Sequence, residues 1–380
     1  MIYLDNAATT YPKPNSVSNA VFNAIKQYGA NPGRGGHTMS IKTAQKVYDC
    51  RKSISNLFNA NGEESIIFTQ NCTCAVNMVL KGVLKSGDHV VVSCLEHNAV
   101  MRPLKKLSDV SNITYSTAKV YPGDDNATLD SFRNSINEKT RLIVCMHASN
   151  VFGIRLPIER ISAMAGEYGI DILVDAAQSA GVIPIDIKDL KIDYLCTSGH
   201  KGLYGPMGTG ILIINSKNIP DTIIEGGTGT SSREFDQPDM IPDKFESGTI
   251  NVPGIIGLKE GVDFVRRKKV ENISKHEFKL IGKLYDNLSK MQNIELYTAK
   301  PDYKYFVPLL SFNVKGMDSE EVSRILNNDG IAVRAGIHCA PAAHIYFNTI
   351  DKGTVRVAPS VFTTENQIDY LISSLKRIKA

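Results

Sequence analysis

The sequence has no pair of cysteines spaced as CxxC and no regular cysteine framework. Its seven cysteines are an odd number, and they are scattered between positions 50 and 339. Several of them, such as Cys145 and Cys196, lie inside apolar runs, where a thiol behaves as a small hydrophobic group. This usage argues against a disulfide-stapled extracellular domain. It indicates a reducing compartment, in which a special thiol would be catalytic.

The chain also lacks a strong excess of charge. Its 43 basic and 39 acidic residues leave a formal net charge of +4, which is too mild for a nucleic-acid binder. No apolar run reaches the length of a membrane-spanning helix. The opening MIYLDNAATT lacks the charged-then-apolar layout of a secretion signal. We therefore expect a soluble cytoplasmic protein with no nucleic-acid and no membrane partner.

Short apolar runs alternate with helical stretches through the first two thirds of the chain. Such alternation is typical of an α/β domain with a parallel sheet covered on both faces. Beyond residue 254 the pattern changes to long charged amphipathic helices and fewer strands. The 380 residues are therefore expected to form a large α/β domain over 15–253 and a smaller α+β domain from 1–14 and 254–380. The apolar runs are SIIFT (65–69), HVVVSC (89–94), RLIVCMH (141–147), DILVD (171–175), IDYLC (192–196) and GILII (210–214).

Polar residues follow several of these runs, at the sheet edge where α/β proteins bind ligands. The first run leads into QNCTCAVN, a helix start containing Cys72 and Thr73. Its free backbone N–H groups suit a phosphate, although an ordinary helix cap has the same pattern. His97 follows the second run and is either a ring that stacks on a flat ligand or a loop residue. Asn150 follows the third run.

Asp175 ends the fourth run, and Lys201 follows the fifth, within SGHKGLYGPMGTG. Taken singly, the acid could be a helix cap and the lysine a solvated side chain. Together they match the needs of pyridoxal 5'-phosphate (PLP): a lysine that condenses with its aldehyde and an acid that keeps its pyridine nitrogen protonated. Ser198 and His200 could donate to the phosphate, and Gln178 lies three residues beyond the acid.

Two other sites that use similar residues are disfavoured. The Gly–Lys segment lacks the GxxxxGK[ST] spacing of a nucleotide-binding P-loop. Cys72, Cys74 and His97 are poorly spaced for zinc, and no second cysteine pair accompanies them, so no metal is expected.

Eight segments in order resemble those of the cysteine desulfurases and selenocysteine lyases, in the class V aminotransferase group of PLP enzymes. The resemblance runs from residue 3 to beyond residue 356. It implies the aspartate aminotransferase-like fold of PLP-dependent transferases, with a mostly parallel sheet of seven-stranded type, and a homodimer. The compact cysteine segment is similar to the sulfur-mobilisation branch. The segments are YLDNAATT, NPGRGGHTMS, LEHNA, SNVFG, VDAAQSAG, SGHKGLYGPMGTG, FESGTINVPGIIGL and VRAGIHCAP.

The resemblance also implies roles for individual residues. Lys201 would hold PLP and move the α-proton of the substrate, His97 would stack on the ring, and Cys339 would be the nucleophile. Cys72 stands where the family commonly has a hydroxyl residue, and Gly202 is an extra residue after the lysine. The remaining assignments are Asp175 to the pyridine nitrogen, Gln178 to the phenolic oxygen, Thr73, Ser198 and His200 to the phosphate, Thr249 to the phosphate of the partner subunit, Asn150 and Arg356 to the substrate carboxylate, and His37 and Arg34 to the active site.

A cysteine at position 339 suits the chemistry, because a thiolate can take sulfur from cysteine as a persulfide. We expect His338 and Arg334 to favour the thiolate by their positive charge; a buried apolar thiol is the alternative. The sequence thus predicts a PLP-dependent cysteine desulfurase that converts L-cysteine to L-alanine and passes sulfur to an acceptor protein. Three alternatives remain: a selenocysteine β-lyase acting on L-selenocysteine, a class V aminotransferase, and a non-catalytic PLP-binding or sulfur-carrying protein.

Overall fold

Helices and strands alternate along most of the chain in the computed structural model, which describes residues 1–33 and 35–378. The strands are β1 (Ile2–Tyr3), β2 (Ile66–Thr69), β3 (His89–Ser93), β4 (Thr114–Ala118), β5 (Thr140–Met146), β6 (Asp171–Asp175), β7 (Tyr194–Ser198), β8 (Gly210–Ile214), β9 (Ile294–Leu296), β10 (Leu310–Val314), β11 (Ile331–Ala332) and β12 (Val355–Val357). The helices are α1 (Asn15–Gln27), α2 (Thr38–Phe58), α3 (Cys72–Val83), α4 (Asn98–Ser111), α5 (Asp125–Asn134), α6 (Ile158–Glu167), α7 (Val252–Lys268), α8 (Val270–Leu288), α9 (Ser319–Asn328), α10 (Pro341–Tyr346) and α11 (Glu365–Arg377), with a short 3₁₀ turn at Glu63–Ser65.

A seven-stranded sheet forms the centre of the larger part, in the order β2-β8-β7-β6-β5-β3-β4. Neighbouring strands from β7 to β4 are parallel, whereas β8 is antiparallel to both of its neighbours. The expected mostly parallel sheet is therefore confirmed. The six apolar runs correspond to six of its strands. The edge strand β4 has no such run, because only Ala118 of its residues is fully buried.

Both faces of this sheet are covered, so its inner strands are apolar throughout rather than alternating. In β5, Ile143 and Cys145 pack into one apolar core, while Leu142 and Val144 pack into a second core on the opposite face. This division follows from the two-residue period of a strand. The chain leaves the sheet at the carboxyl ends of β5, β6 and β7, where the expected polar residues lie.

A second, smaller region contains the antiparallel sheet β12-β10-β9 and its own apolar core with α8, α9 and α11. The N-terminal segment joins this region, because β1 pairs in parallel with β11. Helix α7 instead packs against α1 and α2, and its apolar residues belong to the core of the larger part. We therefore propose a domain boundary after Lys268 rather than at residue 254. Within the described ranges, no helix has both the length and the apolar character needed to cross a membrane.

The segment carrying Lys201 passes very close to the turn after β6. A Cβ atom added to Gly202 would lie 2.3 Å from the carbonyl oxygen of Ala180, and one added to Gly181 would lie 2.1 Å from that of Gly202. Gly181 also has a φ of +78°, which favours glycine. Two backbones thus meet without side chains between them. This contact explains why a glycine follows Lys201 directly.

We predict that Gly202→Ala lowers the free energy of unfolding by about 1–3 kcal/mol, because the added methyl group meets backbone rather than a movable side chain. Gly166→Ala is the control, since a Cβ atom at that helical position meets nothing within 4 Å. Denaturant unfolding of both variants checks this. Equal stability of Gly202→Ala and the unsubstituted protein would show that the contact is not tight.

Candidate active site

A cavity of about 150 Å³ lies at the carboxyl edge of the central sheet. It is lined by the N-terminus of α3 and by the segments that follow β3, β5, β6 and β7. Nine of the residues expected from the sequence meet there, although they come from five separate segments. They are Cys72, Thr73, His97, Asn150, Asp175, Gln178, Ser198, His200 and Lys201.

Lys201 presents a reactive amine to this cavity. Within the described ranges, its Nζ atom makes no hydrogen bond and no ion pair, and the side chain is half-buried. Burial lowers the pKa of this amine, the charge of Asp175 opposes that shift, and Arg356 adds to it. A larger share of the amine is therefore neutral, as condensation with a carbonyl group requires.

Asp175 is the last residue of β6, and it is only 5% exposed. Its Oδ1 atom accepts a hydrogen bond from the backbone N–H of Ala177 at 2.9 Å and another from the thiol of Cys72 at 3.4 Å. Two donors therefore fix one carboxylate oxygen. The carboxylate itself lines the cavity, so its second oxygen is available to a ligand.

The N-terminus of α3 supplies an anion-binding corner. Asn71 caps the helix by accepting a hydrogen bond from the N–H of Cys74 at 2.9 Å, and Asn71, Cys72 and Thr73 all line the cavity. Unpaired N–H groups and the helix dipole favour a negative charge at such a position. His200 also lines the cavity. Its Nδ1 atom is buried and has no partner among the described residues.

His97 is the N-cap of α4. Its Nδ1 atom accepts the N–H of Ala99 at 3.0 Å, so the proton of the neutral ring belongs on Nε2. Burial lowers the pKa of His97, although the charge of Asp175 partly opposes this shift. For His200, burial and then the nearby Lys201 and Lys13 lower the pKa to about 4. Both rings are therefore neutral at physiological pH.

Cys339 is exposed, and three hydrogen bonds hold the loop around it. Its backbone carbonyl oxygen accepts a hydrogen bond from the N–H of Asn98 at 2.8 Å. The backbone carbonyl of His338 accepts one from the side-chain Nδ2 of Asn150, also at 2.8 Å. The Nε2 of His338 lies 3.0 Å from the carbonyl of Thr354, to which it donates. These bonds connect the cysteine loop to the rim of the cavity.

The expectation that His338 adds positive charge beside Cys339 is wrong. Burial, with a smaller contribution from Arg356, lowers the pKa of His338 to about 2. The ring is neutral at every pH at which the protein would work. It acts as a hydrogen-bond donor to Thr354 and adds no positive charge beside Cys339.

Arg356 is buried beside this loop, with an exposed fraction of 2%. Its Nη1 donates to the carbonyl of Asn150 at 2.8 Å, and its Nη2 pairs with Asp5 at 2.8 Å. Its Nε atom is buried without a partner among the described residues. Sequence reasoning gave no role to Asp5. The only available signal was its place in the segment YLDNAATT, because its partner lies 351 positions away.

Two further expected residues in the described ranges, Thr249 and His37, do not line this cavity. Thr249 is exposed, accepts a hydrogen bond from Asn31 at 3.2 Å, and lines a different cavity of about 210 Å³. His37 is exposed and caps α2, its Nδ1 accepting the N–H of Ser40 at 3.3 Å. Arg34 lies outside the described residues. Across the described residues, no group of three or more His, Cys, Asp or Glu side chains is arranged to hold a metal ion.

Comparison with known proteins agrees with this geometry. The aminotransferase class-V family model matches residues 2–371. A probable cysteine desulfurase of Methanothermobacter thermautotrophicus is 33% identical over 99% of this chain and 94% of its own length. A cysteine desulfurase of Escherichia coli is 31% identical, covering 100% and 93% of the two chains. The apo structure of a cysteine desulfurase from Thermococcus onnurineus superposes with a TM-score of 0.90 at 30% identity, covering 99% of this chain and 94% of its own. The chain belongs to the class-V aminotransferase family, which confirms the resemblance carried by its motifs. Members of that family are PLP-dependent enzymes.

Glu96, next to His97, is a further buried group to which sequence reasoning gave no role. It is fully buried, and its Oε1 accepts hydrogen bonds from the hydroxyl of Ser93 and from the N–H of Met146. Its Oε2 has no partner within the described residues. Burial raises the pKa of this carboxyl to about 8 despite those bonds. Glu96 is therefore largely a neutral acid at pH 7.

We predict a measurable contribution of Glu96 to the pH dependence of stability. A carboxyl whose pKa is raised on folding favours the folded state at low pH and loses that contribution as the pH rises from about 4.5 to about 8. A pKa that differs by one between the folded and unfolded states corresponds to about 1.4 kcal/mol. Glu96→Gln cannot ionise, so its free energy of unfolding should fall less over this range than that of the unsubstituted protein. Denaturant unfolding at pH 5, 6, 7 and 8 measures the difference. Parallel pH profiles would show that Glu96 is already ionised in the folded protein.

Proposed function

We propose that this protein is a homodimeric, PLP-dependent cysteine desulfurase. It converts L-cysteine to L-alanine and transfers the sulfur to Cys339, from which an acceptor protein takes it. The observation that carries this proposal is the attachment of the Cys339 loop, through Asn98 and Asn150, to the rim of the cavity that holds Lys201 and Asp175. The names of the relatives support the same activity.

The residues of the cavity fit PLP. Among the described residues, a lysine amine without a partner, a strand-terminal carboxylate with one unpaired oxygen and a helix N-terminus correspond to the aldehyde, pyridine nitrogen and phosphate. When bound, PLP supplies a ring that accepts electrons from the carbon next to the substrate amine. Residues in five segments would hold it: Lys201 at the aldehyde, Asp175 at the pyridine nitrogen, Gln178 at the phenolic oxygen, His97 on the ring, and Thr73, Ser198 and His200 at the phosphate, with Cys72 behind Asp175.

Arg356 binds the substrate carboxylate. Asn150 and Asp5 hold two of its nitrogens, and its buried Nε is left without a partner in the described part of the chain. An arriving carboxylate satisfies this donor, and a buried donor gains most from such a partner. The Asn150 Oδ1 is buried and also unpartnered in that part of the chain, whereas its Nδ2 is taken by the carbonyl of His338. An amide oxygen accepts, so Asn150 meets a donor such as the substrate amine rather than the substrate carboxylate expected from the sequence.

Cys339 accepts the sulfur. Its Sγ bonds to the sulfur of the substrate as the carbon–sulfur bond of the substrate breaks, and the electron pair of that bond stays with carbon. That carbon takes up a proton and becomes the methyl group of alanine. A thiol and cysteine thus become a persulfide and alanine, with no external oxidant or reductant. Lys201 moves the α-proton, and the neutral His97 can exchange a proton at Nε2.

We predict that Cys339→Ser releases almost no alanine from L-cysteine, because a hydroxyl cannot accept sulfur at neutral pH. The same variant should remain active with L-selenocysteine, since the carbon–selenium bond is weaker. Cys74→Ser is the matched control, as it removes a thiol outside the Lys201 cavity and should keep full activity.

Lys201→Ala should lose both the visible absorption of bound PLP and all turnover.

Measured alanine release decides between the candidate functions. Undiminished alanine release from L-cysteine by Cys339→Ser would contradict a desulfurase that uses this thiol. Alanine release from selenocysteine alone by the unsubstituted protein would favour the lyase. A protein that binds PLP without any turnover would favour a carrier.

The homodimer is proposed from two observations. Thr249 is exposed and outside the cavity of its own protomer. Large apolar side chains are also exposed on α1 and at the start of α2, as expected where a second copy covers the surface. They are Phe22, Ile25, Met39 and Ile41. In the dimer, Thr249 of one protomer reaches the phosphate of the other.

We predict complementation between two inactive variants. Lys201→Ala lacks the amine, and Thr249→Glu places a negative charge at the phosphate of the partner. In a mixed dimer, the Lys201 of one protomer meets the Thr249 of the other, so one intact site forms. Alanine production should therefore appear when the two variants are unfolded, mixed and refolded together. Full activity of Thr249→Glu alone, or no recovery in the mixture, would contradict the shared site.

A further inference from the structure

Cys72 is a buried thiol that lines the Lys201 cavity. It is the first residue of α3 and is only 6% exposed. Its Sγ lies 3.4 Å from the Oδ1 of Asp175, within range for a hydrogen bond that involves sulfur. The carboxylate oxygen accepts, so the thiol is the donor. This contact links α3 to the end of β6.

The contact makes the two carboxylate oxygens of Asp175 differ in their hydrogen bonds. Oδ1 is taken by Cys72 and by the N–H of Ala177, 2.9 Å away. The other oxygen has no protein hydrogen bond among the described residues, and the carboxylate lines the cavity. A carboxylate held by two donors on one oxygen cannot turn freely. The thiol therefore helps to determine which oxygen a ligand meets.

The character of the donor matters as much as its position. A thiol is a weak donor, whereas a hydroxyl is a strong one. Donors to an ionised carboxylate stabilise its charge and make it a poorer partner for a proton. Burial, and then the charge of Asp175, raise the pKa of the Cys72 thiol well above its usual value, so it remains a protonated donor. A thiol here therefore holds the carboxylate through a weaker hydrogen bond than a hydroxyl would make.

We propose that Cys72 is a positioning residue for Asp175: its thiol holds Oδ1 and leaves the other oxygen to the pyridine nitrogen of PLP. The inference rests on the proposed function. It assigns Cys72 to the carboxylate of Asp175, at the nitrogen end of the cofactor.

Cys196 provides an internal control. It is fully buried and pairs in register with Asp175 across β6 and β7. In the described ranges, its thiol makes no hydrogen bond to Asp175. Cys196→Ala and Cys72→Ala thus remove the same atom from the same neighbourhood, but only the second removes a donor to the carboxylate.

The hydrogen bond can be tested directly by infrared spectroscopy of the S–H stretch, without PLP. The difference between the unsubstituted protein and Cys72→Ala gives the Cys72 band, and the difference with Cys196→Ala gives the Cys196 band. We expect the Cys72 band at lower frequency, because donation weakens the S–H bond. It should move up when Asp175 is replaced in Asp175→Ala. Coincident bands, or a Cys72 band unaffected by Asp175→Ala, would overturn the proposal.

The consequence for the cofactor is tested by binding. Cys72→Ala should raise the dissociation constant of PLP about 2- to 10-fold, the range of one hydrogen bond. It should also shift the pH at which the visible absorption of bound PLP changes. Cys72→Ser should keep most of the affinity for PLP but shift the pH at which the absorption changes. Cys196→Ala should alter neither the affinity nor that pH. Equal effects of Cys72→Ala and Cys196→Ala would mean that Cys72 only fills space.

These outcomes separate this inference from the proposed function. If the unsubstituted protein binds no PLP, the proposed function fails and the role of Cys72 fails with it. If it binds PLP and Cys72→Ala changes neither affinity nor absorption, only the inference about Cys72 fails.

Discussion

The buried hydrogen bonds of Asn150 connect the parts of the site. Its backbone carbonyl oxygen accepts a hydrogen bond from the Nη1 of Arg356, and its side-chain Nδ2 donates one to the backbone carbonyl of His338, each at 2.8 Å. The first bond is charge-assisted, a class worth about 1.5–3 kcal/mol. Asn150, in the segment that follows β5, thus links the wall of the cavity, the arginine on β12 and the loop of Cys339. A shift in any one of these parts would strain the other two.

Burial determines which groups of the site carry charge. It lowers the pKa of His97, His200 and His338, so these three rings are neutral. The charges that remain include Arg356 with its partner Asp5, and Asp175 near Lys201. Each has a chemical task, either to bind a carboxylate or to interact with a ring nitrogen and an amine. Neutral histidines can donate or accept hydrogen bonds without competing for these anions.

The positions that sequence reasoning predicted well are those set by the sheet. Asp175 and Ser198 end continuous apolar strands, and Lys201 lies just beyond one of them. The carboxyl ends of neighbouring parallel strands meet at one edge, so residues distant in sequence become neighbours. Contacts between distant segments were not accessible in this way. The pairing of Asp5 with Arg356 and the bond from Cys72 to Asp175 depend on how separate segments pack. The neutrality of His338 depends on burial, which its neighbours in the sequence do not reveal.

The central claim is that the Lys201 cavity and Cys339 form one catalytic unit. The most direct test is mass spectrometry of the PLP-loaded protein after reaction with less than one equivalent of L-cysteine, without reductant. The account predicts one alanine released for each protein that gains a sulfur atom, with the added sulfur on the peptide containing Cys339. Alanine release with the sulfur on another cysteine, or with no sulfur retained on the protein, would contradict it.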